Sequence, residues 1–203
     1  MREEGLSQKQ VEAIKWAEET VSKVNNDQRA FVKCKESRPI TDLKNMLETS
    51  AELFANNVAF LQKYSHKDPY TEIKYSQVME DVNGLGSALV ARGLKGKRVA
   101  VIGENCYQWA VSYLAVACGT GIVVPLDREL NAEELKNQII RAEVSGVLFA
   151  KKHETVFKQI KEDGDTPLQV LVNFNTDEET NGVCSFSQLI EEGKKLIESG
   201  KIG

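Results

Sequence analysis

Gly103-Glu104-Asn105 is the tripeptide best placed for chemistry, because it follows the apolar run Val99 to Ile102 and precedes a long apolar stretch. Open α/β sheets bind ligands at such strand-to-helix turns, at the carboxyl ends of their strands. A phosphate cradle also needs glycines there, so that backbone N–H groups converge at the helix N-terminus. This turn has one glycine and no Walker or dinucleotide pattern, and a carboxylate at Glu104 would repel a phosphate. It reads first as a turn and helix cap, and second as a wall of a substrate pocket to which Glu104 and Asn105 contribute. Gly119-x-Gly121 has the glycines in the wrong place, after a helix and before a strand, and reads as structural.

The other reactive side chains assemble no familiar machinery. There is no Gly-x-Ser-x-Gly elbow, and His66 and His153 complete no Ser/His/acid order. Cys34, Cys106, Cys118 and Cys184 lie far apart without Cys-x-x-Cys spacing, which suits buried reduced thiols better than a disulfide framework or a zinc site. The pairs Glu133-Glu134 and Glu178-Glu179 read as solvated surface, and Trp16 and Trp109 as packing aromatics. No catalytic residue and no metal ligand set is assigned from these residues.

The elements that would position the turn are legible. Lys97 to Leu126, KRVAVIGENCYQWAVSYLAVACGTGIVVPL, contains two apolar strands joined by a helix over Cys106 to Cys118. Strand, helix, strand at this spacing implies a crossover and a parallel pair, and two continuous apolar runs imply strands buried on both faces. The absence of charge between Glu104 and Asp127 could also span a bilayer. Gly119, Thr120, Gly121 and Pro125 would break such a span, whereas they suit a helix cap and a strand end.

Upstream, Ser7-x-x-Gln10 is a capping box for a thin amphipathic helix within residues 1–36, and Thr41 or Asp42 caps a helix from Leu43 to Phe54 with Leu43, Leu47, Ala51 and Phe54 on one face. Val58 to Leu61 and Thr71 to Tyr75 flank the turn SHKDP as a hairpin at the sheet edge. Ser76 caps the next helix, which buries Val78, Val82, Leu85 and Leu89, and Gly93 takes its left-handed cap. Gly84 and Gly86 inside that helix each cost about 1 kcal/mol against alanine, so close packing on a neighbour is expected. Downstream, Asn131-x-x-Glu134 opens a helix, Val147 to Phe149 and Leu168 to Phe174 are strands, and His153 to Ile160 is a short helix. Ser185-x-x-Gln188 caps a last helix with Leu189, Leu196 and Ile197 buried. The class is α/β: a mostly parallel sheet flanked by helices, with an edge β-hairpin.

Composition sets bounds. A hydrophobic fraction of 41% and a charged fraction of 28% are those of an ordinary soluble protein with a real core. The net charge of −4 argues against a nucleic-acid surface, and Lys95, Lys97, Arg98, Lys151 and Lys152 read as solvated element ends. The polar start MREEGLSQKQ has no signal-peptide core, so a cytoplasmic location is expected.

From Ile40 onwards the order of motifs resembles the N-terminal part of the AMP-forming acyl-CoA synthetases of the adenylate-forming superfamily. The matching pieces are Ile73-Lys74-Tyr75, Gly93-Leu94-Lys95-Gly96-Lys97-Arg98-Val99-Ala100, the Glu104-Asn105 turn, Val124-Pro125-Leu126 and the Glu133-Glu134-Leu135 helix. The closing QLIEEGKKLIESG is similar to the long-chain fatty acid branch. Residues 1–36 read from their own pattern as a helical extension, and the resemblance implies 37–203 as the N-terminal α/β portion of an AMP-binding synthetase domain, ending before the phosphate loop.

The resemblance also implies a parent that activates a carboxylic acid, of the long-chain fatty class, as acyl-adenylate and passes it to CoA. ATP, Mg2+ and CoA are implied for that parent, and none is expected to bind tightly to this stretch. The phosphate loop, the adenine and magnesium motifs and the C-terminal lysine fall beyond it, so the expected partner is a C-terminal continuation of the same polypeptide. Activity of this stretch alone is not expected, and peripheral membrane contact is left open. The alternative is a stand-alone α/β interaction or nucleotide-binding module without ligase activity.

Overall fold

A computed structural model describes Lys15, residues 39–63 and residues 67–201. Two compact units divide the chain, Met1–Pro39 and Ile40–Gly203, and the elements below belong to the second. Apart from Lys15, the helix expected within residues 1–36 lies outside the described residues, as do Trp16, Cys34 and His66.

Asp42 caps α1 (Leu43–Leu53) by accepting the Asn45 N–H at 2.8 Å. A hairpin of β1 (Val58–Gln62) and β2 (Thr71–Lys74) follows, then α2 (Tyr75–Leu89) and a wide turn, Val90–Leu94. Next come β3 (Arg98–Ile102), α3 (Tyr107–Ala115), a second wide turn at Val116–Thr120, and β4 (Ile122–Pro125). The chain continues through α4 (Ala132–Arg141), β5 (Val144–Phe149), α5 (Glu154–Glu162), β6 (Val170–Asn173), the two-residue β7 (Cys184–Ser185) and α6 (Phe186–Glu198).

β3 to β7 form one parallel sheet in the order β4-β3-β5-β6-β7, and β1-β2 pair antiparallel as a sheet of their own. The hairpin expected at the edge of the main sheet thus closes on itself, joined to α2 by the hydrogen bonds from Tyr75 N to Asn57 O and Ser76 N to Ala55 O. The main sheet is covered on both sides. Val99 and Val101 of β3 pack with α2, α3 and α6, whereas Ala100 and Ile102 pack with Leu135 and Ile139 of α4 and Phe157 of α5. A period of two along one strand therefore feeds two cores.

Several local expectations are corrected. α2 starts at Tyr75, one residue before Ser76, with Lys74 at its cap position and no side-chain cap bond. Among the described residues β4 lies at the sheet edge, paired only with β3, and Ile122 is 56% exposed, so it is not buried on both faces. Of the expected α1 stripe only Leu47 is buried, while Leu43 and Phe54 are exposed. α6 buries Phe186, Leu189, Ile190 and Gly193 instead of Ile197, because Gly193 is the point where its backbone meets α2.

The capping box at Asn131 and Glu134 forms as expected, with both reciprocal bonds present at 2.9 and 3.0 Å. At α6 only half of the expected box is made. Ser185 accepts the Gln188 N–H, but the Gln188 side chain bonds the Glu179 N–H instead.

Candidate functional site

Four strands deliver their carboxyl ends to one edge of the sheet. β3 runs into Gly103–Cys106, β4 into residues 126–131, β5 into Ala150–His153, and β6 into the loop that starts at Phe174. Two polar clusters occupy this edge, and Phe174 links them: it lines the cavity of the second and lies 3.1 Å from where a Cβ on Gly103 would stand.

The first cluster is built on Glu104. Its Oε1 accepts from Lys152 Nζ at 2.8 Å, and its Oε2 pairs with the Arg128 guanidinium, whose Nε also reaches Glu129 Oε1 at 3.0 Å. One carboxylate thereby ties together the loops that follow three neighbouring strands. Asn105 stands exposed beside it, and Cys106 takes the N-cap position of α3. The turn is therefore a helix entry, as expected, while the first amide of α3, Tyr107 N–H, is capped from the hairpin by Gln62 Oε1 at 3.1 Å. Gly103 leaves no open cradle, because a Cβ there would also stand 3.1 Å from Ala150 Cβ.

Arg128 and Lys152 were invisible as partners of Glu104 in the sequence, where Lys152 read as a solvated element end. Only the order β4-β3-β5 brings their loops to either side of Glu104. The usable signal was their position: each follows closely on an apolar run ending at the same sheet edge.

The second cluster is centred on Asp81, which is buried in α2 although charged. Its Oδ2 accepts from the Tyr107 hydroxyl at 2.8 Å, and its Oδ1 accepts from Gln77 Nε2 at 3.0 Å and Lys194 Nζ at 3.0 Å. Burial works against the Lys194 ammonium, but Asp81 and Glu191 together hold its pKa above that of an ordinary lysine. The cluster forms part of the wall of a cavity of about 510 Å3 between α2, the start of α3, the loop after β6, and α6. Thr176 Oγ1, also in that wall, is buried with no hydrogen-bond partner among the described residues.

Asp81 joins three elements and accepts from a donor on each, so its loss removes the shared partner of a partly exposed ammonium and a tyrosine hydroxyl. Asp81→Ala is expected to cost about 2–3 kcal/mol, less than a fully buried pair because Lys194 retains some exposure. Tyr107→Phe removes one neutral-to-charged bond and is expected to cost about 1.5 kcal/mol. Urea denaturation of both variants checks the order, and a neutral Asp81→Ala would show that the network is slack.

Burial shifts two other titratable groups near this edge. Burial, reinforced by the charge of Lys152, lowers the pKa of His153, and burial raises the thiol pKa of Cys106. Cys106, Cys118 and Cys184 are free thiols. Among the described residues no group of three or more His, Cys, Asp or Glu could hold a metal ion, and no helix is long and apolar enough to cross a membrane. Among the described residues this edge offers paired charges and hydrogen bonds.

The family model for AMP-binding enzymes matches residues 47–195, from within α1 to within α6. The chain belongs to this family. Its similarities to AMP-binding enzymes include several acid–CoA ligases. It is 24% identical over 150 residues to the crotonobetaine/carnitine–CoA ligase of Salmonella enteritidis, covering 73% of this chain and 29% of that protein. It is 39% identical over 80 residues to long chain acyl-CoA synthetase 1 of Arabidopsis thaliana, covering 39% of this chain and 12% of that one.

Among solved structures, the anthranilate CoA ligase AuaEII in complex with anthranoyl-AMP superposes with a TM-score of 0.66 at 18% identity, over 79% of this chain and 30% of that one. That likeness shows a shared fold. The chain spans less than a third of the length of these relatives.

Proposed function

We propose that this chain is the N-terminal α/β portion, residues 37–203 with an extension at 1–36, of an AMP-forming acid–CoA ligase. The family match across 47–195 is the observation that carries this reading. The parent activates a carboxylic acid with ATP and Mg2+ as acyl-adenylate and transfers the acyl group to CoA. A long-chain fatty acid is the proposed substrate, supported by the similarity to the Arabidopsis long chain acyl-CoA synthetase. Glu104 and Asn105 form part of a wall of the substrate site. A cytoplasmic enzyme fits this reading, with peripheral membrane contact as the route to a fatty substrate.

The described residues do not by themselves fit magnesium-bound ATP, since they offer neither a glycine cradle at the βα turns nor a metal-holding cluster. No chemical step is assigned to them. Their part is to hold the sheet edge in shape. Oxyanion and phosphoryl stabilisation supplies the largest share of such catalysis, and the groups for it must come from the rest of the parent.

Acid-dependent exchange of labelled pyrophosphate into ATP tests the reading. The 203-residue chain is expected to give background exchange, and a polypeptide carrying it together with its C-terminal continuation is expected to exchange with fatty acids. Exchange by the chain alone, or none by the longer polypeptide with any acid, would overturn it.

A further inference from the structure

The Glu104 carboxylate occupies a place that suits a different anion. It sits between a guanidinium and an ammonium, and these come from the loops on either side of its own, at the edge where parallel sheets bind ligands. Arg128 and Lys152 are each nearly half exposed, at 45% and 46%, so water and solutes reach both.

Exposed pairs of this kind contribute little to stability, about 0–1 kcal/mol, because solvent screens them and ordering long side chains costs entropy. Exchanging one anionic partner for another is correspondingly cheap. A guanidinium fork beside an ammonium accepts phosphate oxygens in the same geometry as carboxylate oxygens.

We propose that Arg128 and Lys152 form a binding site for a phosphoryl group, and that Glu104 is its internal occupant, which the ligand must displace. The inference rests on the reading of Glu104 as a wall of the substrate site. It also resolves the sign problem that Glu104 poses in the sequence, where its charge alone would repel phosphate. With both cations engaged, Glu104 acts as a gate that an incoming anion must displace.

The neighbouring charges do not change this account. Glu129 shares Arg128 through Nε, exposed Lys151 adds a third positive charge nearby, and Glu154 is engaged by Lys158 at 2.8 Å and Asn173 at 2.6 Å. The backbone N–H of Lys151 is taken by Asn175 Oδ1 at 3.1 Å, so recognition falls to the side chains.

The test is calorimetric titration of the 203-residue chain with inorganic phosphate at low ionic strength, where exposed charges are least screened. Glu104→Gln is expected to bind phosphate at least about tenfold more tightly than the wild type, since a unit charge a few ångströms from the ligand is removed. The gain is expected to vanish in the E104Q/R128Q/K152Q variant. Equal affinity of wild type and Glu104→Gln, or a gain that survives the loss of both cations, would overturn the proposal. Glu104→Ala provides a second reading should Glu104→Gln fold poorly, with circular dichroism as the check.

Titration with AMP alongside separates the sources of the phosphoryl group. Tighter binding of AMP than of phosphate assigns the site to a nucleotide, equal binding assigns it to a free oxyanion, and either outcome supports the site. Neither titration uses an acid or CoA, so failure here is distinct from failure of the exchange assay.

Discussion

Gly193→Ala is expected to destabilise the protein by at least about 3 kcal/mol and to lower its melting temperature by about 6–12 °C. A Cβ on Gly193 would stand 1.7 Å from Gly84 O and 2.5 Å from Gly84 C, and these are backbone atoms that no rotamer change can move. α2 and α6 would have to separate. Their seam also carries Ile190, the Lys194–Asp81 pair and the two-pronged Arg92–Glu192 pair at 2.9 and 2.7 Å.

Intrinsic propensity pulls the other way, because alanine is favoured over glycine in a helix interior by about 1 kcal/mol. The sign of the change therefore decides whether the two backbones touch. Thermal melts of Gly193→Ala and the wild type measure it, and a raised melting temperature would mean that the helices do not approach this closely. Gly84→Ala, whose Cβ would meet Ile190 O at 2.7 Å, is expected to show a smaller loss of the same sign.

Gly121→Ala is the second large effect, expected at about 3 kcal/mol. The reason is proximity alone, since Gly121 has an extended φ of −178° that any residue adopts. Its Cβ would lie 2.1 Å from Lys97 O. That oxygen accepts the Ile122 N–H at 2.9 Å, where β4 first meets β3, and Gly96 N–H bonds Thr120 O at 2.7 Å just before it.

A methyl group there would push β4 off the sheet edge. Because among the described residues β4 pairs only with β3, the damage should be local first. Amide hydrogen exchange is expected to lose protection at Ile122 to Val124 while β5 and β6 keep theirs. Gly119→Ala is the matched control: none of the described residues comes within 4 Å of its Cβ, so little change is expected there. Equal effects at positions 119 and 121 would refute the close approach.

These two glycines mark how far the sequence can be followed. Gly84 already stood out as a cost inside an apolar helix, so a close neighbour was expected; that the neighbour is Gly193 on α6 was not. Gly121 read as a helix stop, which it is, while its contact with Lys97 depends on how tightly the chain turns into β4. The apolar run Ile122 to Pro125 read as a central strand because composition reports how apolar a strand is and not whether a second strand flanks it.

The candidate site divides in the same way. Gly103-Glu104-Asn105 could be placed at a strand-to-helix turn from the order of apolar runs. The partners of Glu104 could not, since electrostatic pairing across loops leaves no periodicity along the chain. Asp81 shows the same limit: on its helix it is one polar residue among several, and its burial comes from Tyr107 and Lys194 on two other elements.

By itself, then, the sequence determined the local and the repeating: continuous apolar strands, helices with apolar stripes, the caps at Asp42, Asn131 and Ser185, and the motif order that carries family membership. These depend on backbone geometry and neighbours a few residues apart. The tertiary structure decided the strand order, which strand lies at the edge, where helices approach to backbone contact, and which charges meet at the carboxyl end of the sheet. Those depend on distances between atoms far apart along the chain, which only the packed sheet and its flanking helices define.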